Sequence, residues 1–520
     1  MARISRLIVS LAAMLLAACA SLPDHVERSP SEARREVAAS TLAQVAAASL
    51  AQADREAMTP AHDAVSGLRL LPGGAEAFEA RLALVGAAEI SIDAQYYLVA
   101  DDRSGRQFVQ ALGDAAARGV RVRLLVDDLN AGTTKDLLAR LASRPNVELR
   151  MFNPLPVRTG SLHARVMLSL HELDRLNRRM HNKLLVADNS FAIAGGRNIA
   201  DEYFDRSSPA HFIDLDLLVA GPAVPELSGV FDAYWNSALA YPLQSLIDLP
   251  PTLEAPTFAA AEPNGPHTGE RAGPLGMQLA GHRVLLQAAR VRVVADSADS
   301  ATAKHGDATR EGFVMRANLE LLRSAQQEAL IVSPYFVPMP RMLDAFDVAS
   351  ASGARIAVVT NSLATTDEPL AHYGYARYRQ QLMRMGIALH ELMPATGLRA
   401  GERLGANQGS LARLHAKLAV VDRRWFYVGS MNMDRRSAHA NTELGMVVES
   451  TAMAGQLVDM VHREHLGSSY SVRQRAEAAG IEWTAPDRDP GARMTRDPET
   501  GWPQRLAWSL LSSLIDEDYL

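Results

Sequence analysis

The chain has 520 residues, a formal net charge of −6, 48% hydrophobic and 22% charged residues. That length allows two or more domains with sizeable cores, in the composition of a globular chain. The acidic balance gives no electrostatic reason to expect a nucleic-acid partner, and the single cysteine, Cys19, excludes an internal disulfide.

Residues 1–18 read as a secretion signal: Arg3 and Arg6 form a positive start, and Ile8–Leu16 form an apolar run too short to span a bilayer. Leu16-Ala17-Ala18-Cys19 fits the lipobox of bacterial lipoproteins, which makes Cys19 a lipidated residue tethering the chain to a membrane surface. Ala20, standing where Asp would signal inner-membrane retention, points to a periplasm-facing protein of the outer rather than the inner membrane. An ordinary signal peptide with an incidental cysteine is the alternative. Residues 19–64 are rich in Ala and Glu and read as a tether with some helix.

The body is an internal duplication over residues 65–245 and 286–470. Ile90–Val99 is a strand-like run answered by Ala329–Pro338, and the helix end and buried strand at Arg118–Val126 are answered by Ser352–Thr360. Gly119 and Gly353, His181 and His415, and Asn198 and Asn432 are all separated by 234 residues. Each half alternates strand and helix patterns, which predicts an α/β layered domain with a mixed sheet. Residues 246–285, rich in Pro, Gly and Ala, read as a linker. Residues 471–520 fall outside the repeat and end in an amphipathic stretch, Trp502–Ile515, that either packs on the body or lies at a membrane interface.

Both halves carry the pattern H-x-K-x4-D-x6-G-[GS]-x-N: His181, Lys183, Asp188 and Asn198 in the first, His415, Lys417, Asp422 and Asn432 in the second. Only four of the 53 Lys and Arg residues are lysines, and two of them hold this position. Drift toward Arg in a GC-rich genome explains the scarcity, but a compact ammonium cannot be copied by a planar guanidinium. An apolar run follows each His-x-Lys, so each opens a strand on which His and Lys share a face. Each Asp falls at a polar break before a second apolar run, which predicts a hairpin, so Asp188 and Asp422 are expected to shape the turn rather than move protons.

Two histidines, two lysines and two Asn amides in one pocket suit a phosphodiester. The ammonium and amide groups neutralise and orient phosphoryl oxygens. One imidazole attacks phosphorus and the other protonates the leaving oxygen, then deprotonates the acceptor. The lysines supply the positive charge, so neither metal nor cofactor is required, and the spacing is not that of zinc ligands. Each imidazole also needs an orienting acid. Asp214 and Glu443, opening the next strand of each half, are the candidates, with plain surface carboxylates as the alternative reading.

The doubled motif resembles that of the phospholipase D superfamily. Leu176–Met180, Gly195–Ile199, Tyr335–Pro338, Thr360–Ala364, Gly374–Arg377 and Asn441–Glu443 look like the cardiolipin synthase C type, and the similarity covers about residues 65–515. The resemblance implies two α/β/α-sandwich domains about a pseudo-two-fold, with the active site at their interface. It implies phosphatidyl transfer with His181 as nucleophile and His415 as acid/base, joining phosphatidylglycerol and phosphatidylethanolamine into cardiolipin and ethanolamine. Phospholipase D hydrolysis to phosphatidic acid, a nuclease of the same superfamily and a non-catalytic envelope lipoprotein are the competing readings. The stretch after residue 485 matches only loosely.

Overall fold

A computed structural model describes residues 22–506, except 24, 57–64, 159–160, 170–171, 208–209, 250–272, 303–311, 395–410, 476–479, 487–492 and 504. The signal segment, Cys19 and residues 507–515 of the amphipathic stretch lie outside the described residues.

The first half supplies β1 (Ser66–Leu71), β2 (Ser91–Tyr96), β3 (Arg121–Asp127), β4 (Val147–Phe152), β5 (Lys183–Ala187), β6 (Phe191–Gly195), β7 (Ala210–Ile213), β8 (Asp216–Ala220) and β9 (Ala240–Pro242). The second supplies β10 (Gln287–Ala295), β11 (Glu328–Val332), β12 (Arg355–Asn361), β13 (Ala388–Leu392), β14 (Leu411–Leu414), β15 (Leu418–Val421), β16 (Trp425–Gly429) and β17 (Leu444–Glu449), followed by β18 (Ser469–Gln474), β19 (Ile481–Thr484) and β20 (Arg493–Met494).

Strand neighbours run β9-β4-β3-β2-β5-β6-β8-β1 in the first half. In the second they run β10-β17-β16-β15-β11-β12-β13-β18. An antiparallel β1–β10 pairing, with Gly67 opposite Ala288, fuses the two into one eighteen-stranded sheet. The two orders are images of each other about that seam, so the duplication expected from the equal offsets is present as a pseudo-two-fold.

The period of two along each strand divides the core. Leu185 and Ala187 point to an outer core of the first half, and Ala419 and Val421 to that of the second. Leu184, Val186, Leu418 and Val420 face a third core shared by both halves, with the helices Ala223–Trp235 and Thr451–Met460. Helices Gly74–Ala87, Arg103–Ala117 and Lys135–Ala142 cover the opposite face of the first half. Each half is therefore an α/β/α sandwich. The sequence explains local starts: Asp102 caps Arg103–Ala117 by accepting from Gly105 N (2.9 Å), and Ser450 does the same for Thr451–Met460 through Met453 N.

The flanking segments are more ordered than their composition suggests. In the expected tether, Thr41–Glu56 is a helix whose Leu42, Val45, Ala46 and Ala53 join the first half's core, and Arg123 and Arg150 donate to Ser31 O (2.8 Å) and Ser29 O (2.6 Å). Within the expected linker, Pro274–Ala280 is helical, with Leu275 and Leu279 buried in the same core. From Ser469 onward, β18–β20 extend the sheet edge, and Trp502 and Leu506 are exposed.

Candidate active site

Each motif forms the hairpin its pattern predicts, β5–β6 and β15–β16. The turn residues Asp188 and Asn189, and Asp422 and Arg423, have φ of 46°, 44°, 52° and 48°. Left-handed backbone at two successive positions matches the twist of a tight hairpin, and Asp and Asn tolerate it better than other side chains with a Cβ. Asp188 then reaches the neighbouring chain: its carboxylate accepts from Glu89 N (3.0 Å), Ile90 N (2.8 Å) and Ser91 N (2.9 Å) at the start of β2. Asp422 does the same at Gln326 N (3.0 Å), Gln327 N (2.8 Å) and Glu328 N (3.0 Å), before β11. Both carboxylates are fully committed to backbone and stand apart from the histidine contacts.

The histidines are paired across the two halves. His181 Nδ1 donates to Glu443 (2.9 Å), and His415 Nδ1 donates to Asp214 (2.6 Å). Backbone bridges create this exchange. His181 N donates to Thr442 O and His415 N to Ile213 O, each at 2.8 Å, while β7 runs parallel to β14 and Met180 bridges Thr442. A histidine of one half thus arrives beside the carboxylate of the other. Neither half contains a complete site.

The shells around the carboxylates explain the variable letters of the tail. A Cβ on Gly196 would lie 2.1 Å from Asp214 Oδ1, so only glycine fits. The equivalent Ser430 donates its hydroxyl to the longer Glu443. Arg197 is buried and donates to Asp216 (3.2 Å) and to the Asp214 carbonyl, whereas Met431 occupies the equivalent place. The lysines fold back on their own strands: Lys183 Nζ donates to His181 O (2.6 Å), Lys417 Nζ donates to His415 O, and Lys183 lies 5.4 Å from the centre of the Tyr97 ring. Asn198 donates to the Tyr203 hydroxyl (3.0 Å), while Oδ1 of Asn198 and of Asn432 are buried with no hydrogen-bond partner among the described residues.

Burial holds His181 well below its ordinary pKa, with Lys183, Lys417 and His415 adding to it. It also pushes its partner Glu443 up to about 7. A neutral imidazole with a free Nε2 lone pair is what a nucleophile requires. Burial and Lys417 lower His415 as well, but the adjacent Asp214 offsets part of that. Burial alone would raise Asp214, yet His415, Lys417 and Arg197 outweigh it and hold the carboxyl below its ordinary value. Burial likewise brings Lys417 down to about 8 despite its carboxylate neighbours.

Both histidines, both lysines and both predicted acids come together here, and Asn198 joins them through Tyr203, which lies against His415; Asp188 and Asp422 sit apart, at the hairpin turns. Sequence reading did not assign Tyr97 and Tyr203, whose rings meet His181 and His415 edge-on at 5.2 and 5.1 Å. It also missed Asp296, which accepts from Glu443 N (3.0 Å). Tyr97 lies in the repeated run Ile90–Val99, whose answer Ala329–Pro338 carries Tyr335 and Phe336, so that echo could have marked it; Tyr203 faces Ser437 at the 234-residue offset and has no echo. Among the described residues one further cluster, His372, Glu391 and Asp497, has metal-ligand spacing. The guanidinium of Arg379 already fills it, donating to Glu391 (2.8 Å), Asp497 (3.0 Å) and His372 Nε2 (2.8 Å), so the cluster is an ion-pair network rather than a cation cage.

A family described as cardiolipin synthase, PLD-like domain, matches residues 82–235 and 319–464, one match in each half. The chain is 35% identical over 467 residues to cardiolipin synthase C of Escherichia coli, covering 87% of this chain and 96% of that protein. It is 26% identical to a cardiolipin synthase of Geobacillus kaustophilus, covering 75% of this chain and 64% of that one. The crystal structure of a Haemophilus influenzae phosphatidylserine synthase superimposes with a TM-score of 0.54 at 13% identity, covering 88% of this chain and 98% of that chain, and shows the fold alone.

Proposed function

Since the chain belongs to the phospholipase D-like cardiolipin synthase family, we propose that it is a phosphatidyltransferase that makes cardiolipin from phosphatidylglycerol and phosphatidylethanolamine. The observation that carries this reading is the exchanged pair of histidine–carboxylate contacts, His181–Glu443 and His415–Asp214, in one pocket with two lysines.

In the first step the His181 Nε2 lone pair attacks the phosphorus of phosphatidylethanolamine. The P–O bond to ethanolamine breaks, and His415 gives its proton to the leaving oxygen while Asp214 stabilises the imidazolium beforehand. Lys183, Lys417 and the Asn198 and Asn432 amides steady the equatorial oxygens. In the second step His415 takes the proton of the phosphatidylglycerol hydroxyl, that oxygen attacks phosphorus, and the N–P bond to His181 breaks. Asp188 and Asp422 hold the hairpins and take no proton.

The decisive experiment expresses the protein in a host without cardiolipin synthases and measures its lipids by mass spectrometry, beside His181→Ala and His415→Ala. Cardiolipin with the wild type and none with either variant is expected. Phosphatidic acid without cardiolipin would mean that water is the acceptor, and unchanged product in a variant would sink the two-histidine mechanism.

The membrane surface is the natural location for such an enzyme. None of the described helices is long and apolar enough to cross a membrane. We assign attachment to lipidation of Cys19 and a periplasm-facing position on the outer membrane, with the exposed Trp502 and Leu506 as a second contact. Cys19→Ala should release protein into the periplasmic fraction; sedimentation with membranes at the wild-type level would refute lipidation as the main tether.

A further inference from the structure

Two buried side chains at the ends of equivalent strands hold the backbone immediately before each histidine. Asp127 ends β3 and Asn361 ends β12, separated by the same 234 residues as the motifs. Asp127 Oδ2 accepts from Met180 N (3.0 Å), and Asn361 Oδ1 accepts from Leu414 N (2.9 Å). Met180 and Leu414 are the residues directly before His181 and His415. Asn361 also donates through Nδ2 to Leu414 O (2.9 Å), so its amide grips both polar groups of that one residue. Asp127 spends its second oxygen on Arg179 Nη1 (3.1 Å) and Leu129 N (2.9 Å).

These contacts oppose the cross-half bridges. His181 N and His415 N are drawn toward the partner half by Thr442 O and Ile213 O, while Met180 and Leu414 are drawn back toward their own half. Each histidine backbone is therefore fixed from two sides, and that fixes where its ring stands between carboxylate and substrate.

In the second half the hold continues outward. His372 Nδ1 donates to Asn361 O (3.2 Å), and Arg379 Nη2 donates to His372 Nε2 (2.8 Å) and to Asp497 (3.0 Å). Arg379 also donates to Glu391 (2.8 Å), which accepts from Trp483 Nε1 (2.9 Å). Asp497 and Trp483 belong to the extension beyond the repeat, so that extension is linked through three buried side chains to the residue before His415.

We propose that Asn361 is the positioning residue of His415 and Asp127 that of His181, and that the C-terminal extension supports His415 through Asp497, Arg379, His372 and Asn361. This rests on the two-histidine reading above, and the test separates the two ideas.

An acid that is out of place matters only when the leaving group needs a proton. Asn361→Asp keeps the acceptor but sets a carboxylate oxygen against Leu414 O. In a pre-steady-state burst with phosphatidylethanolamine in mixed micelles it should slow head-group release on the order of 10²-fold, the usual effect of misplacing a catalytic group by about 1 Å. With phosphatidyl-p-nitrophenol, whose leaving group departs as the anion, the burst should return to within a few-fold of wild type. Asp127→Asn, which shifts the nucleophile, should slow both donors alike. Asp497→Asn, three links from Leu414, should show a weaker form of the Asn361→Asp pattern, and it serves as the test if Asn361→Asp does not fold. Equal loss with both donors in the Asn361, Asp497 and Asp127 variants alike would show a merely structural role and overturn the proposal. Rescue in Asp127→Asn but not in Asn361→Asp would leave the positioning residues in place and exchange the roles of the two histidines. Absence of cardiolipin alongside these bursts would count against the acceptor reading alone.

Discussion

Asp188 accepts three consecutive backbone N–H groups while its own φ is 46°. A charged oxygen meeting buried amides is worth more than a neutral hydrogen bond, and removing it strands the donors. Asp188→Ala should cost about 2–4 kcal/mol by that argument, and Asp422→Ala a similar amount. Urea titration followed by circular dichroism measures it; a loss of activity with unchanged unfolding midpoint would mean that the aspartate acts in the chemistry instead. Asp296 behaves differently. Burial pushes its carboxyl up from 3.8 to about 7, so its folded form prefers to be protonated. The stability it contributes is complete below the unfolded value and is lost as the pH rises through about 7. Asp296→Asn carries no such titration, so its stability relative to wild type should increase steadily between pH 4 and pH 7. A flat difference across that range would show that Asp296 is not a strained acid.

At the scale of elements, the hairpins were legible because everything that forms them is local: an apolar run, an aspartate at the turn, a second apolar run. The carboxylates were legible as candidates because each opens a strand. Which histidine each one serves was not legible. The elements that decide it, β7, β14 and the bridge at Met180, are four residues long or shorter and pair between halves rather than within one. Asp127 and Asn361 could have been found by carrying the 234-residue offset past the motif itself. The edge strand β18 answers β9 of the first half, but β19 and β20 could not be found this way, because they lie outside the repeat and their hold on the body is a buried network with no sequence echo. Glu391 is fully buried in that network and meets Arg379, Tyr375 and Trp483. Glu391→Gln leaves the Arg379 guanidinium with less compensation, and breaking one side of a buried ion pair costs about 3–5 kcal/mol. Asp497 shares that cation, so the lower end is expected, read as a fall in the unfolding midpoint. A midpoint unchanged by the substitution would mean that Asp497 alone satisfies Arg379.

For the whole molecule, the seam at β1–β10, the core shared by Leu184, Val186, Leu418 and Val420, and the exchanged acid–histidine contacts all point the same way. The duplication has made one body whose candidate active site lies where the halves meet. A repeat that retained two independent sandwiches would unfold in two steps, whereas a common sheet and a common core should give a single calorimetric transition. The same connectivity fixes how catalytic substitutions combine. Asp214 lies 201 residues from His415 in sequence, yet its Oδ2 accepts from that ring. Once His415 is replaced by Ala, removing Asp214 should cost far less in thermal stability than it does in the wild type, since residues in direct contact are non-additive. Asp214→Ala on the His181→Ala background shares no hydrogen bond with the missing ring. Residual activity there is too low for steady-state rates, so the comparison is best read as thermal stability, where the two substitutions should add within about 0.5 kcal/mol. Coupling of Asp214 to His181 rather than to His415 would place the carboxylate with its own half and contradict the exchange on which the site is built.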